Sequence, residues 1–219
     1  MHLVKTTDTT AAAQKLAYLI NVQLAQKKKV VWLLSGGSAI TVAVEAQRLL
    51  QTTEGLIVMQ IDERYGPTGH ADSNWKQLID AGFDDASTFC YPMLIGADVI
   101  KTTSNYEQLL NETIDDNTYV IGLFGIGADG HTAGILPNSS AVNAAAEVAF
   151  YQASDYPRIT ITPVFFAKIN TAIVYAMGSA KLQPLKNLGR NLPPALEPAQ
   201  LLKHIRDTWI YSDQIGEDA

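Results

Sequence analysis

The spacing of apolar and polar positions changes period repeatedly along the chain. Val30-Val31-Trp32-Leu33-Leu34 is a short apolar run of β-forming residues between Lys29 and Ser35, the pattern of a strand buried on both faces. Before it, Leu16, Leu19, Ile20 and Leu24 make the stripe of an ordinary packing helix. After it, a helix is predicted over 39–50, with Glu45 and Arg48 on one side and Ile40, Val44 and Leu50 left for a core. A second strand follows over 56–61. Asp72 or Ser73 can cap the next helix, in which Trp75, Leu78, Ile79 and Phe83 fall at helical spacing. Ser104-Asn105-Tyr106-Glu107 has the form of a capping box opening a helix that buries Tyr106, Leu109, Leu110 and Ile114. A third apolar strand spans Tyr119–Phe124. Later strands are predicted over Val148–Gln152, 158–162, 172–177 and 207–211, with a helix over 179–188.

Strands alternating with helices imply right-handed crossovers, hence an α/β fold with a mostly parallel sheet between helical layers. The 219 residues contain no repeat and no linker, so one domain over 1–219 is expected, with an acidic tail at 216–219 that frays. Sixteen basic against 22 acidic side chains leave a charge of −6, too few cations for a nucleic-acid-binding face. The one basic run, Lys27-Lys28-Lys29, follows a predicted helix and suits the negative end of its dipole. A lone cysteine, Cys90, cannot form an internal disulfide and fits a reducing, cytoplasmic setting. No apolar run reaches the length of a membrane span, so no membrane partner is expected.

In an open parallel sheet ligands bind beyond the carboxyl ends of strands, and three such loops are unusual here. The first strand runs into Ser35-Gly36-Gly37-Ser38, where glycines let backbone approach a ligand and a helix N-terminus offers N–H groups to a phosphate. A tight connection alone would look similar. No G-x-x-x-x-G-K-S/T loop for a nucleotide triphosphate is present. The second strand ends in Asp62-Glu63-Arg64, either a solvated turn or a cleft wall where Arg64 meets an oxygen-rich ligand. The third opens into Gly125-Ile126-Gly127-Ala128-Asp129-Gly130-His131. That string contains G-x-G-x-x-G, but it lies in mid-chain, Pro137 curtails the helix that should follow, and no acidic residue ends the next strand, so a dinucleotide site is not predicted.

Of four histidines, His2, His70 and His204 sit at a terminus, in a polar loop and near the chain end, whereas His131 stands beside Asp129 at a strand end. It is the candidate proton acceptor. H-E-x-x-H and C-x-x-C ligand spacings are absent, so no metal or other cofactor is predicted. Arg158 opens a strand, and Lys181 stands at a strand-to-helix junction from which its ammonium could reach the same anion as residues 35–38.

Taken in order, Ser35-Gly36-Gly37-Ser38, Asp62-Glu63-Arg64 with Pro67 and Ser73-Asn74, the 125–133 loop with Pro137, Arg158-Ile159-Thr160-Ile161-Thr162, and Gly178 with Lys181 resemble the 6-phosphogluconolactonases over nearly the whole chain. The resemblance extends to their relatives, the glucosamine-6-phosphate deaminases. It implies a Rossmann-like three-layer fold and metal-free hydrolysis of 6-phosphoglucono-δ-lactone in the oxidative pentose phosphate pathway. It further implies His131, Asp129 and Arg64 as catalytic residues, with Ser35, Gly36, Gly37, Ser38, Asp62, Glu63, Arg158 and Lys181 holding a small phosphorylated sugar lactone. The protein would be a monomer or small homo-oligomer. Deaminases carry a glutamate five residues after the histidine and usually a tyrosine after the Asp-Glu pair, positions that are Leu136 and Arg64 here. Departures from the lactonase pattern are Ala39-Ile40 for a usual Thr-Pro, Gly66 for valine and Gly134 for serine. A non-catalytic sugar-phosphate sensor on the same fold is the reading from another class.

Overall fold

A computed structural model describes residues 1–216, and the rest of the acidic tail lies outside the described residues. In chain order the elements are β1 (His2–Lys5), α1 (Thr10–Ala25), β2 (Val30–Leu34), α2 (Ala39–Arg48), β3 (Leu56–Gln60), β4 (Asp62–Arg64), α3 (Asn74–Asp80), β5 (Phe89–Tyr91) and α4 (Val99–Thr113). They continue with β6 (Tyr119–Phe124), β7 (Val148–Gln152), β8 (Pro157–Ile161), α5 (Pro163–Phe166), β9 (Thr171–Tyr175), α6 (Leu182–Leu188) and β10 (Asp207–Ser212). Seven strands form a sheet ordered β1-β10-β9-β6-β2-β3-β5, and every pairing in it is parallel. Helices flank it, as the alternating periods predict.

The apolar run 30–34 becomes a central strand because both its faces are covered. Alternate side chains point opposite ways, so Val31 and Leu33 join one core cluster while Val30, Trp32 and Leu34 join the other. Helices α1 and α2 supply Leu16, Ile20, Val42 and Ala43 to the second cluster, and α4 supplies Tyr106 and Leu110 to the first. Removing Trp32, which is fully buried, should cost about 3–5 kcal/mol, the range for large core aromatics.

The pairing register positions the chemistry. Leu34 aligns with Gln60 on β3 and with Leu123 on β6, so the chain leaves all three strands at one edge of the sheet. Sequence order runs outward from β2 through β3 on one side and through β6 and β9 on the other. The crevice between the loops after β2 and β6 is therefore the topological switch point where ligands bind in such sheets.

Several elements differ from the sequence prediction. Residues 104–107 do not start a helix: α4 begins at Val99, capped by Asp98, whose side chain accepts from the Lys101 N–H at 2.9 Å. The buried stripe includes Thr102 and Thr113, and these polar residues hide its true length from a hydrophobicity count. Glu107 instead accepts from the Glu147 N–H at 2.7 Å. No α-helix directly follows β6; residues 125–139 form turns with one isolated bridge, Thr132–Ile135, and lead into a 3₁₀ turn at Ser140–Asn143. Strands β7 and β8 lie outside the large sheet: β8 pairs antiparallel with both β4 and β7 in a sheet ordered β4-β8-β7. The connection from Gln152 to Pro157 is too short for a parallel crossover and long enough for a hairpin. Edge strands β1 and β5 are too short and too exposed to give a periodic signal.

Candidate active site

Chain direction at Ile61 builds the floor of the site. Ile61 donates its N–H to Leu34 O at 2.8 Å, while its own carbonyl accepts the Ile161 N–H at 3.0 Å, so the chain crosses here from the large sheet into the small one. Asp62-Glu63-Arg64 is thus a strand and not a solvated turn. Asp62 points to the crevice, almost fully buried, and accepts from Ser35 Oγ at 3.0 Å and from Asn74 Nδ2 at 3.2 Å. Gly36 is needed for this arrangement, because a Cβ there would lie 2.0 Å from Asn74 Oδ1.

Glu63 corrects the sequence reading, which made it a ligand contact. Period-two alternation turns it away from the crevice, and it is completely buried. Its carboxylate accepts from Ser73 Oγ at 2.8 Å, from the N–H groups of Asn74 (2.6 Å) and Trp75 (3.0 Å), and from Gln60 Nε2 at 2.9 Å. It anchors the start of α3 and thereby places Asn74, a cleft residue that sequence reasoning left outside the site.

The cleft at the switch point has a volume of about 310 Å³. Ser35, Gly36, Gly37 and Ser38 line one side, Gly125 to Ala128 with His131, Ala133 and Gly134 another, and Asp62, Arg64, Asn74, Asp155, Arg158 and Lys181 complete it. Every predicted site residue except Glu63 and Asp129 lines this space. Asp129 sits behind His131, with Oδ1 at 2.6 Å from His131 Nδ1 and 3.2 Å from the His131 N–H. A carboxylate only accepts, so Nδ1 carries the hydrogen and Nε2 is the ring nitrogen left unprotonated in the neutral imidazole. Partial burial works against ionisation of Asp129, but attraction to His131 and the hydrogen bonds from it hold the carboxyl below its ordinary value. The loop itself is held by Gly127 N–H donating to His131 O at 2.8 Å and Ala199 N–H donating to Gly130 O at 2.9 Å. Gly130 has φ +81°, and a Cβ on it would lie 2.4 Å from the Glu197 carboxylate, which fills the space beneath the loop.

Three cations converge. Arg64 and Arg158 are cross-strand partners in the β4–β8 register, an arrangement of like charges that is unfavourable until an anion joins them. Arg64 donates Nη1 to Asp72 O at 2.9 Å and lies under the Tyr156 ring, 5.6 Å from its centroid. Arg158 meets Asp155. Lys181 ends a 3₁₀ turn (Ser179–Lys181) at the start of α6 and forms no ion pair among the described residues. The Gly36–Ser38 loop that leads into α2 lines the same space, and the Ile40 N–H of that helix closes the turn by donating to Gly37 O at 3.1 Å. Ala39 and Ile40, the departure from Thr-Pro, are both buried in the core and do not line the cleft. Asp155 and Tyr156 gave no sequence signal beyond that of a polar turn. Among the described residues no group of three or more His, Cys, Asp or Glu side chains could hold a metal ion, and no helix is long and apolar enough to cross a membrane.

Fold and cleft together define an α/β protein with a cationic, histidine-bearing pocket at the carboxyl edge of a parallel sheet. The chain belongs to the glucosamine-6-phosphate isomerase/6-phosphogluconolactonase family, whose model matches residues 5–211. It is 26% identical over 198 residues to a 6-phosphogluconolactonase of Synechocystis sp., an alignment covering 84% of this chain and 82% of that protein. Its fold is similar to that of a 6-phosphogluconolactonase from Thermotoga maritima, with a TM-score of 0.85 at 19% identity over 96% of this chain and 98% of that one. A monomeric glucosamine-6-phosphate deaminase also shares the fold, with a TM-score of 0.79 at 17% identity over 98% of both chains.

Proposed function

We propose that this protein hydrolyses 6-phosphoglucono-δ-lactone to 6-phosphogluconate. The observation that carries the reading is the His131–Asp129 pair, 2.6 Å apart, opening onto a cleft lined by Arg64, Arg158 and Lys181. The phosphoryl group rests on the N–H groups of the 36–38 loop with Lys181 and Arg158, which fixes the lactone carbonyl beside His131. His131 Nε2 takes a proton from water as the water oxygen bonds to the carbonyl carbon, while Asp129 steadies the imidazolium that forms. Arg64 faces the developing oxyanion. When the tetrahedral intermediate collapses, the bond to the ring oxygen breaks and that oxygen takes the proton back from His131. Water is consumed, a hydroxyl and a carboxylic acid are made, the acid loses its proton to solvent at neutral pH, and no covalent enzyme intermediate is needed.

Leu136 favours this reading over amine chemistry. It packs against the core where a deaminase would present a carboxylate, so the acid–base group that ring opening requires is missing. In this reading the chain acts as one sugar-phosphate lactonase domain in the cytoplasm, without metal or nucleic acid. The test is a lactone hydrolysis assay coupled to oxidation of the 6-phosphogluconate formed, run on wild type and His131→Ala. Loss of at least about a hundredfold in kcat is expected, as for removal of a general base; full activity in the variant overturns the assignment. Ammonia release from glucosamine 6-phosphate would support the deaminase instead, and tight product binding without turnover would support a sensor.

A further inference from the structure

We propose that Asp155 is a specificity-determining residue: a resident counter-anion on Arg158 that only a strongly charged anion, such as a phosphoryl dianion, displaces. The proposal rests on the reading of the cleft as a phosphate site.

Residues 153–156 form the turn between β7 and β8, closed by the Ala153 N–H donating to Tyr156 O at 3.2 Å. Within that turn Asp155 Oδ1 accepts the Tyr156 N–H at 2.8 Å, and Oδ2 accepts from Arg158 Nη2 at 2.5 Å. The pair is lopsided. The Arg158 side chain is 7% exposed, the Asp155 side chain 44%, so a fixed cation in the wall carries an accessible carboxylate at the mouth. Both line the cleft. Burial alone would raise the Asp155 carboxyl, yet its bonds to Arg158 and Tyr156 hold it below the ordinary value, so it is ionised at neutral pH.

An incoming anion must share Arg158 with this carboxylate or drive it off. Asp62, the other acid lining the cleft, is buried and committed to Ser35 and Asn74. Arg158 needs a counter-anion because it faces Arg64 across the β4–β8 ladder and its Nε is buried without a partner among the described residues. One carboxylate relieves part of that repulsion. A singly charged ion replacing it gains nothing, since it exchanges one charge for another and gives up the covalent tether. A phosphoryl dianion brings twice the charge and more acceptor oxygens. Asp155 thereby keeps the cleft selective for phosphorylated ligands over the monovalent anions that surround the protein.

The experiment measures inorganic phosphate binding to wild type, Asp155→Asn and Asp155→Glu by calorimetry, with and without chloride at constant ionic strength. Removing one negative charge near a bound dianion should tighten phosphate binding by roughly fivefold, the factor that corresponds to about 1 kcal/mol. Chloride should compete measurably with phosphate in Asp155→Asn and much less in wild type, and Asp155→Glu should behave as wild type. Asp155→Ser carries the same expectation and serves if the asparagine variant does not fold. Phosphate binding that weakens in Asp155→Asn, or chloride sensitivity equal to wild type, overturns the proposal and makes Asp155 an orienting group. A wild type that turns over lactone while Asp155→Asn binds phosphate identically overturns only this role. A wild type with neither phosphate binding nor turnover overturns the reading of the cleft as well.

Discussion

Gly130→Ala tests whether the His131 loop is held by the backbone conformation that the structure assigns to it. Gly130 has φ +81°, a region that costs an L-residue about 1–2 kcal/mol. The new Cβ would also lie 2.4 Å from the Glu197 carboxylate. Glu197 is 7% exposed and accepts from Asn187 Nδ2 at 3.1 Å. Its carboxylate is the end of a flexible side chain, so it swings aside, at the cost of that charged hydrogen bond, about 1.5–3 kcal/mol. The reduced freedom of alanine in the unfolded chain returns about 0.4–1 kcal/mol. The net loss is about 1.5–4.5 kcal/mol in urea unfolding. Activity should fall further than stability does, because a displacement of the loop by about 1 Å costs on the order of a hundredfold. The Glu197→Ala background isolates the two contributions: there Gly130→Ala should cost only the backbone part less the same unfolded-state gain, about 1 kcal/mol. Wild-type stability and activity in Gly130→Ala, or an equal loss in both backgrounds, would refute the reasoning.

Asp129→Asn should lower kcat by about tenfold or more in the coupled assay while leaving KM close to wild type, since Asp129 touches His131 and does not line the cleft. Because the folded carboxyl lies below its ordinary value of 3.8, its contribution to stability is present above that pH and is lost as pH falls through the folded value. The stability gap between wild type and Asp129→Asn, read by urea unfolding, should therefore narrow from pH 6 toward pH 3. Lys181→Ala should raise KM for the phosphorylated lactone by about tenfold or more, with binding of inorganic phosphate weakened in parallel by calorimetry. Burial, with repulsion from Asp85 and Asp84, pushes the Cys90 thiol up to about 12. Alkylation by iodoacetamide at pH 8, followed by mass spectrometry, should thus be slow in the folded protein and fast in urea.

The sequence alone determined what repeats or clusters along the chain. Apolar runs at 30–34 and 119–124 must be buried on both faces, so they become central strands with glycine-rich loops at their ends. His131 beside Asp129 is a local pair, two residues apart, and its geometry follows from one short loop. What sequence could not decide depends on which segments face each other across the fold. Glu63 and Asp62 are equivalent acids in the sequence; only the β4–β8 pairing sends one into the cleft and the other under α3. Arg64 and Arg158 read as separate charges until the antiparallel register places them opposite one another. Asn74 and Glu197 acquire meaning only from neighbours distant in sequence, and Asp155, three residues from Arg158, only from the register that sets Arg158 opposite Arg64. The physical reason is the same in each case: periodicity records whether a position is buried, whereas a partner's identity is set by sheet order and register, which are fixed by packing of the whole chain.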